Sequence, residues 1–103
     1  MSIETICTQL SALSQAVRLR AFQLLIQAGD EGITAGKLSE YLAIINSAVS
    51  FHIEKLQKAG LVYSEKKGRF IIYKANYSSM QNLINYLSHN CCVGIKNIKE
   101  YKQ

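Results

Sequence analysis

The stretch Ser47-Ala48-Val49-Ser50-Phe51-His52-Ile53-Glu54-Lys55-Leu56-Gln57-Lys58-Ala59 is stopped by Gly60 and followed by a different texture. Leu61 to Lys66 and Arg69 to Ala75 are β-branched and aromatic, joined through Lys67-Gly68. The first part repeats apolar residues at helical spacing. Turned by about 100° per residue, Val49, Ile53 and Leu56 fall within about 60° of one another. The second part has the pattern of two strands and a tight turn, with a glycine to supply positive φ. A one-sided helix that hands over to a basic hairpin decides how the remaining segments are read.

Working upstream, Thr34 can cap a short helix from Ala35 to Leu42, with Leu38 and Leu42 inward. A short turn then leads into the helix that begins at Asn46 or Ser47. Gln15 to Ala28 carries Val17, Leu19, Ala21, Phe22, Leu24, Leu25 and Ile26 around much of its circumference. It predicts a central, largely buried helix stopped by Gly29. Ile3, Ile6, Cys7, Leu10 and Leu13 mark a first helix. Downstream, Asn76 or Ser78 can cap a last helix with Tyr77, Met80, Leu83, Ile84 and Leu87 on one face, ended by Gly94. Four helices, a hairpin and a fifth helix make an α+β, mainly helical fold: a winged helix-turn-helix. The first and last helices each carry an apolar stripe that a small domain cannot cover alone, which predicts a homodimer through those two helices.

The bulk numbers agree. The chain has 103 residues, 49% of them hydrophobic, no proline and a net charge of +5. That is the size of one domain, too apolar for a disordered tail. Residues 1–95 read as the folded domain and 96–103 as a basic tail. A basic surface favours an anionic partner, nucleic acid first. No apolar run is long enough to span a membrane and no secretory leader is visible, so the expected place is the cytoplasm. Cys7, Cys91 and Cys92 are then expected as reduced thiols.

Opposite the apolar stripe, the helix from Ser47 presents Ser47, Ser50, Phe51, Glu54, Lys55 and Lys58. Small hydroxyls let a helix lie close in a major groove, lysines supply charge, and an exposed phenylalanine can touch a thymine methyl. His52 sits at the border of the stripe, either as a packed, hydrogen-bonded imidazole or as a phosphate contact. Lys66, Lys67 and Arg69 at the wing tip can reach phosphates or a minor groove, and also keep an edge strand soluble.

These residues resemble a known family. Ala12 to Arg20 resembles the opening motif of the ArsR family of metal-responsive repressors, and Ser47 to Leu56 its recognition helix. Ala59 to Val62, and Gly68-Arg69 through Tyr73, resemble its wing. The similarity runs from about Leu10 to Cys92. It implies a homodimeric repressor bound to a double-stranded DNA operator and released by an inducer. Three departures bear on the turn and its cap: Ala16 where proline is frequent, Ala43 where glycine is frequent, and Ile45-Asn46 in place of a polar or proline-containing turn.

Soft thiolates suit soft ions. His89-Asn90-Cys91-Cys92 resembles the end of the last helix in ArsR proteins that respond to arsenite or antimonite through a cysteine pair. The resemblance thus implies As(III) or Sb(III) as inducer at Cys91 and Cys92, with no cofactor needed for folding. Trivalent arsenic prefers three sulfurs, and Cys7 is the one remaining thiol, either a third ligand from one protomer or the other, or an inert thiol packed in its apolar stripe. The zinc, cadmium and lead type would need thiols near Thr34-Ala35-Gly36, where there are none. Oxidation of Cys91 or Cys92 is an alternative sensor chemistry, and a protein-binding winged helix an alternative function. An enzyme is not expected: there is no phosphate-binding glycine loop and no paired acid-base carboxylates.

Overall fold

The computed structural model describes residues 2–98. Five α-helices and a three-stranded sheet follow one another as α1 (Ile3–Leu13), α2 (Ala16–Ala28), β1 (Ile33–Thr34), α3 (Ala35–Leu42), α4 (Asn46–Lys58), β2 (Val62–Lys67), β3 (Phe70–Ala75) and α5 (Tyr77–Ser88). The expected order of helices and wing is present. Phe22 and Leu25 of α2, Leu38 and Leu42 of α3, and Val49, Ile53 and Leu56 of α4 meet Leu61, Val62 and Ala75 in one core.

The α3–α4 turn is made without the residues usually chosen for it. Thr34 caps α3 as expected, accepting from the Lys37 amide at 3.2 Å. Ala43 ends α3 in the left-handed region, φ 56°, and Ile45 begins α4 with no side-chain cap. The turn is held instead by backbone bonds from Ala43 N to the Glu40 carbonyl and from Ile44 N to the Ser39 carbonyl, both 3.2 Å. The Ser39 hydroxyl adds a bond to the Ile44 carbonyl. So alanine at 43 keeps the turn at a conformational cost.

Four expectations are corrected. The sheet has a third strand: β1 pairs antiparallel with β3 (Ile33↔Tyr73, Thr34↔Ile72), so β3 is central in the order β1-β3-β2. A two-residue strand is too short to show periodicity in sequence. It depends on Gly32, φ +67°, where a Cβ would lie 2.5 Å from Ile72 Cγ2 and 2.6 Å from the Tyr73 carbonyl oxygen. The wing turn is Gly68-Arg69, not Lys67-Gly68, because Lys67 pairs with Phe70 in the ladder. The α2 helix is less enclosed than its composition suggests: Ala21, Phe22 and Leu25 are buried but Leu19 is 46% exposed. Finally, α5 stops at Ser88 rather than near Gly94. His89, ψ 129°, takes the chain out of the helix, and Asn90, φ 57°, follows as the left-handed residue of a turn closed by the Cys91 amide on the Ser88 carbonyl at 3.0 Å, a conformation that asparagine tolerates better than most residues.

Two substitutions test this account by urea unfolding. Ala43→Gly should raise stability by about 0.5–1 kcal/mol, since glycine removes the left-handed penalty at an exposed site. Gly32→Ala should lower it by about 2–4 kcal/mol, combining that penalty with overpacking against β3.

Candidate nucleic-acid interface

The buried stripe of α4 sets what its other side shows. Val49, Ile53 and Leu56 are each 1% exposed or less, which leaves Ser47, Ser50, Phe51, Glu54, Lys55 and Lys58 outward. Phe51 is 54% exposed and unsheltered by the core. The Lys55 ammonium lies 5.3 Å from its ring centroid, a cation held over an aromatic face. Lys58 stands 3.7 Å from Glu54 one turn back, an exposed pair that restrains it little.

His52 resolves to the packed reading. It is half-buried and its ring meets Phe51 edge-on, centroids 5.3 Å apart. Arg18 Nη1 donates to His52 Nδ1 at 3.2 Å, which puts the ring proton on Nε2. Burial first, and the Arg18 charge second, hold the imidazole below its ordinary value of 6.5. Near neutral pH it is therefore an uncharged ring. Arg18 Nε also donates to the Ala12 carbonyl at 2.7 Å, tying the end of α1 to the start of α2 and both to α4.

The wing projects beyond the body. Lys66, Lys67 and Arg69 are all exposed at its tip, with Lys66 paired to Ile71 and Lys67 to Phe70 across the ladder. Lower down, Lys74 bridges to Glu65 at 2.9 Å and so braces the two strands rather than adding to the free charge. The hydroxyl face and aromatic of α4 and the cations of the wing tip thus occupy two projecting elements joined through Leu61, which is fully buried.

The cysteines lie elsewhere. Cys91 and Cys92 are exposed on the turn after α5, with Sγ atoms 2.9 Å apart. The hydrogen bond with Cys92, then burial, push the Cys91 thiol above its usual range. Cys92 is itself in the left-handed region, φ 65°. Cys7 is exposed, not packed away as its apolar stripe suggested. Among the described residues, no three His, Cys, Asp or Glu side chains stand together as a metal site. Within one protomer, then, Cys7 does not complete a three-sulfur set with the pair.

Comparison with known proteins identifies the arrangement. A helix-turn-helix domain family model matches residues 13–65. Transcriptional repressor SdpR of Bacillus subtilis is 33% identical over 76 residues, 74% of this chain and 81% of its own. The chain belongs to the ArsR family of winged helix-turn-helix regulators. An ArsR-like transcriptional regulator from Rhodococcus sp. RHA1 has the same architecture, with a TM-score of 0.74 and 28% identity over 84% of this chain and 78% of its own. A crystal structure of a possible transcriptional regulator for arsenical resistance is similar at a TM-score of 0.68 and 30% identity, covering 78% of this chain and 80% of that one. This ArsR-family chain is therefore a DNA-binding transcriptional regulator. Among its described residues, no helix is long and apolar enough to cross a membrane.

Arg18 is the residue whose role sequence reasoning missed. It lies in the stretch that resembles the family's opening motif, and a cation inside an apolar helix demands a partner. Its partners, Ala12 and His52, are 6 and 34 residues away, and only folding brings the second one near.

The His52 environment makes stability depend on pH. The folded chain holds fewer protons on this ring than the unfolded one, so stability is retained above about pH 6.5 and falls as pH drops through that value. His52→Gln should flatten the pH 5–7 part of a thermal-stability profile; an unchanged profile would remove His52 as its cause.

Proposed function

We propose that two copies of this chain pair through α1 and α5, set their α4 helices in successive major-groove turns of an operator, and repress it until arsenite or antimonite binds Cys91 and Cys92. The observation that carries the DNA reading is the α4 surface: hydroxyls, an exposed aromatic and cations on one face of a helix pinned by its other face. Ser47, Ser50 and Phe51 meet base edges or nearby sugar-phosphate. Lys55, Lys58, Lys66, Lys67 and Arg69 meet phosphates. Repression is the activity of the 33% identical relative SdpR.

The dimer is supported by shape and exposure. The radius of gyration is 16.1 Å and the longest extent 56 Å. A compact chain of about 100 residues has a radius near 13 Å. Much of the excess is a protruding arm. On α5 only Leu83 is buried, while Ile84 is 47% and Leu87 63% exposed, with Ile3 and Leu10 similarly bare on α1. Covering what remains exposed of such side chains, about half of each, contributes about 0.7–1.5 kcal/mol each. Two protomers joined there can hold their α4 helices at the half-site spacing of about 34–36 Å.

The inducer reading rests on thiol chemistry and on the likeness to a 30% identical structure of a possible transcriptional regulator for arsenical resistance. Each As–S bond formed releases a thiol proton to a departing hydroxide as water. The Cys91–Cys92 pair supplies two sulfurs; a third, if used, comes from Cys7 of the other copy. Pinning the end of α5 then alters the dimer contact that sets the spacing of the two α4 helices. Such coupling typically amounts to about 1–3 kcal/mol, or 5–150-fold in affinity.

Three measurements test this reading. Replacing Lys66, Lys67 or Arg69 by alanine removes two cations from the dimer and should in each case reduce the salt slope of operator binding by about 1.8 with sequence preference intact, whereas Phe51→Ala should weaken discrimination at one position of each half-site by about 1–3 kcal/mol. Leu87→Lys should shift the protein to monomer in sedimentation and lose operator binding while its helix content stays. Arsenite should release reduced wild type but not Cys91→Ser or Cys92→Ser. Equal release of all three places the sensor elsewhere, and release by peroxide alone favours oxidation.

A further inference from the structure

Between α1 and α4 runs an open groove of about 470 Å³, lined chiefly by Cys7, Thr8, Ser11, Arg18, Lys55 and Lys58. Three cations and two hydroxyl residues line it, and no carboxylate does among the described residues. Arg18 is held in place by two neutral acceptors, the Ala12 carbonyl and His52 Nδ1, so its orientation is fixed while its charge is not compensated. Among the described residues, neither Arg18 nor Lys55 has a carboxylate within ion-pair distance, and Lys58 has only the exposed Glu54. Cations gathered and oriented around one cleft, without an internal counterion, repel one another until an anion enters.

The position of the groove indicates which anion. On α4, Lys58 points directly away from the core, and Lys55 lies about 60° further round, toward the His52 side that meets Arg18. The outward face of α4 therefore runs without a break into the groove. A helix lying in a major groove has sugar-phosphate strands along its flanks, and α1 stands on one of these flanks. The groove is larger than a lone phosphate ion needs and open, which suits a strand passing over it.

Resting on the operator reading above, we propose that the α1–α4 groove seats a backbone phosphate of the operator strand beside α4. Arg18 and Lys55 are its cations and Ser11 its hydroxyl donor; Thr8 lines the wall, its hydroxyl proton given to the Glu4 carbonyl at 3.0 Å. This extends the DNA interface from α4 and the wing onto α1 and α2. It also gives Arg18 two tasks: one face of its guanidinium orders the junction of three helices, and its remaining N–H groups face the phosphate.

Arg18→Ala would disturb that junction, so the test uses exposed Ser11 in the full chain. Operator binding is measured against salt for Ser11→Lys and Ser11→Glu. Gln81→Lys and Gln81→Glu on the exposed face of α5 serve as net-charge controls, and Lys67→Ala as the wing control. Ser11→Lys adds two cations to the dimer and should tighten binding and steepen the salt slope by about 1.8. Ser11→Glu should weaken binding roughly fivefold or more at moderate salt. The Gln81 pair should move affinity far less. A flat Ser11 series beside a weakened Lys67→Ala, or a Gln81 series that moves affinity equally, overturns the groove assignment and leaves the operator reading standing. If Lys67→Ala is flat as well, the operator reading falls and the groove assignment with it. Inorganic phosphate separates a strand from a free anion. If it displaces operator more than chloride does at equal ionic strength, and Ser11→Glu abolishes that excess, the site belongs to a free phosphate and the assignment to the strand is wrong.

Discussion

Val49, Ile53 and Leu56 hold α4 to the body of the protein along one stripe, and the rest of the interface depends on that stripe. The three side chains meet Leu25, Leu38, Leu42 and Leu61 in a common core. Truncating such a residue typically costs about 2–5 kcal/mol, so the rotation of the helix about its axis is strongly determined. Ser47, Ser50, Phe51 and Lys58 face outward for that reason, without polar contacts that would place them there. Phe51 is the clearest sign. Its side chain is large enough to fill a core position, yet it stays over half exposed because the opposite face is already committed.

A second constraint is electrostatic and joins three helices. Arg18 reaches back to the Ala12 carbonyl and across to His52, and His52 meets the edge of Phe51, over which Lys55 lies. A charged imidazole at this junction would stand beside a guanidinium, so the neutral ring is the form the packing favours. The set conveys the position of α1 and α2 to the outward face of α4 through contacts of fixed geometry. Gln9 of α1 adds a parallel link, its amide nitrogen 3.5 Å from the Ala59 carbonyl at the end of α4. Any shift of α1 is thus felt at the middle and at the C-terminal end of the helix that faces outward.

The protruding half of α5 is the counterpart of this rigid body. Tyr77 hydroxyl meets the Ile26 carbonyl at 3.5 Å and Leu83 is buried, but beyond them the helix runs on with Ile84 and Leu87 uncovered. The chain then leaves the helix at His89 and turns at Asn90, which puts Cys91 and Cys92 on an exposed turn where they carry no packing load. A site placed there can be occupied without disturbing the core. The stable part of the chain and its thiol pair are in this way kept apart, connected by one helix.

The sequence by itself determined the helices, the wing and the outward residues of α4. All of these follow from local periodicity: apolar residues recur every three or four positions along α4, and the wing segments are β-branched around a glycine. The cap at Thr34 was equally legible, because a cap is a contact over three residues. Tertiary structure alone decided what depends on residues far apart in the chain. The strand at Ile33–Thr34 exists only because β3, about 40 residues later, offers an edge, and Gly32 lets the backbone approach it. Arg18 acquired its role from His52, and the α1–α4 groove from residues more than 35 positions apart. The end of α5 lay between these cases: Gly94 is the stop the sequence offers, and the backbone leaves the helix at His89 before reaching it. Periodicity reports which face of an element is buried; it carries no information about which distant charge comes to rest beside it.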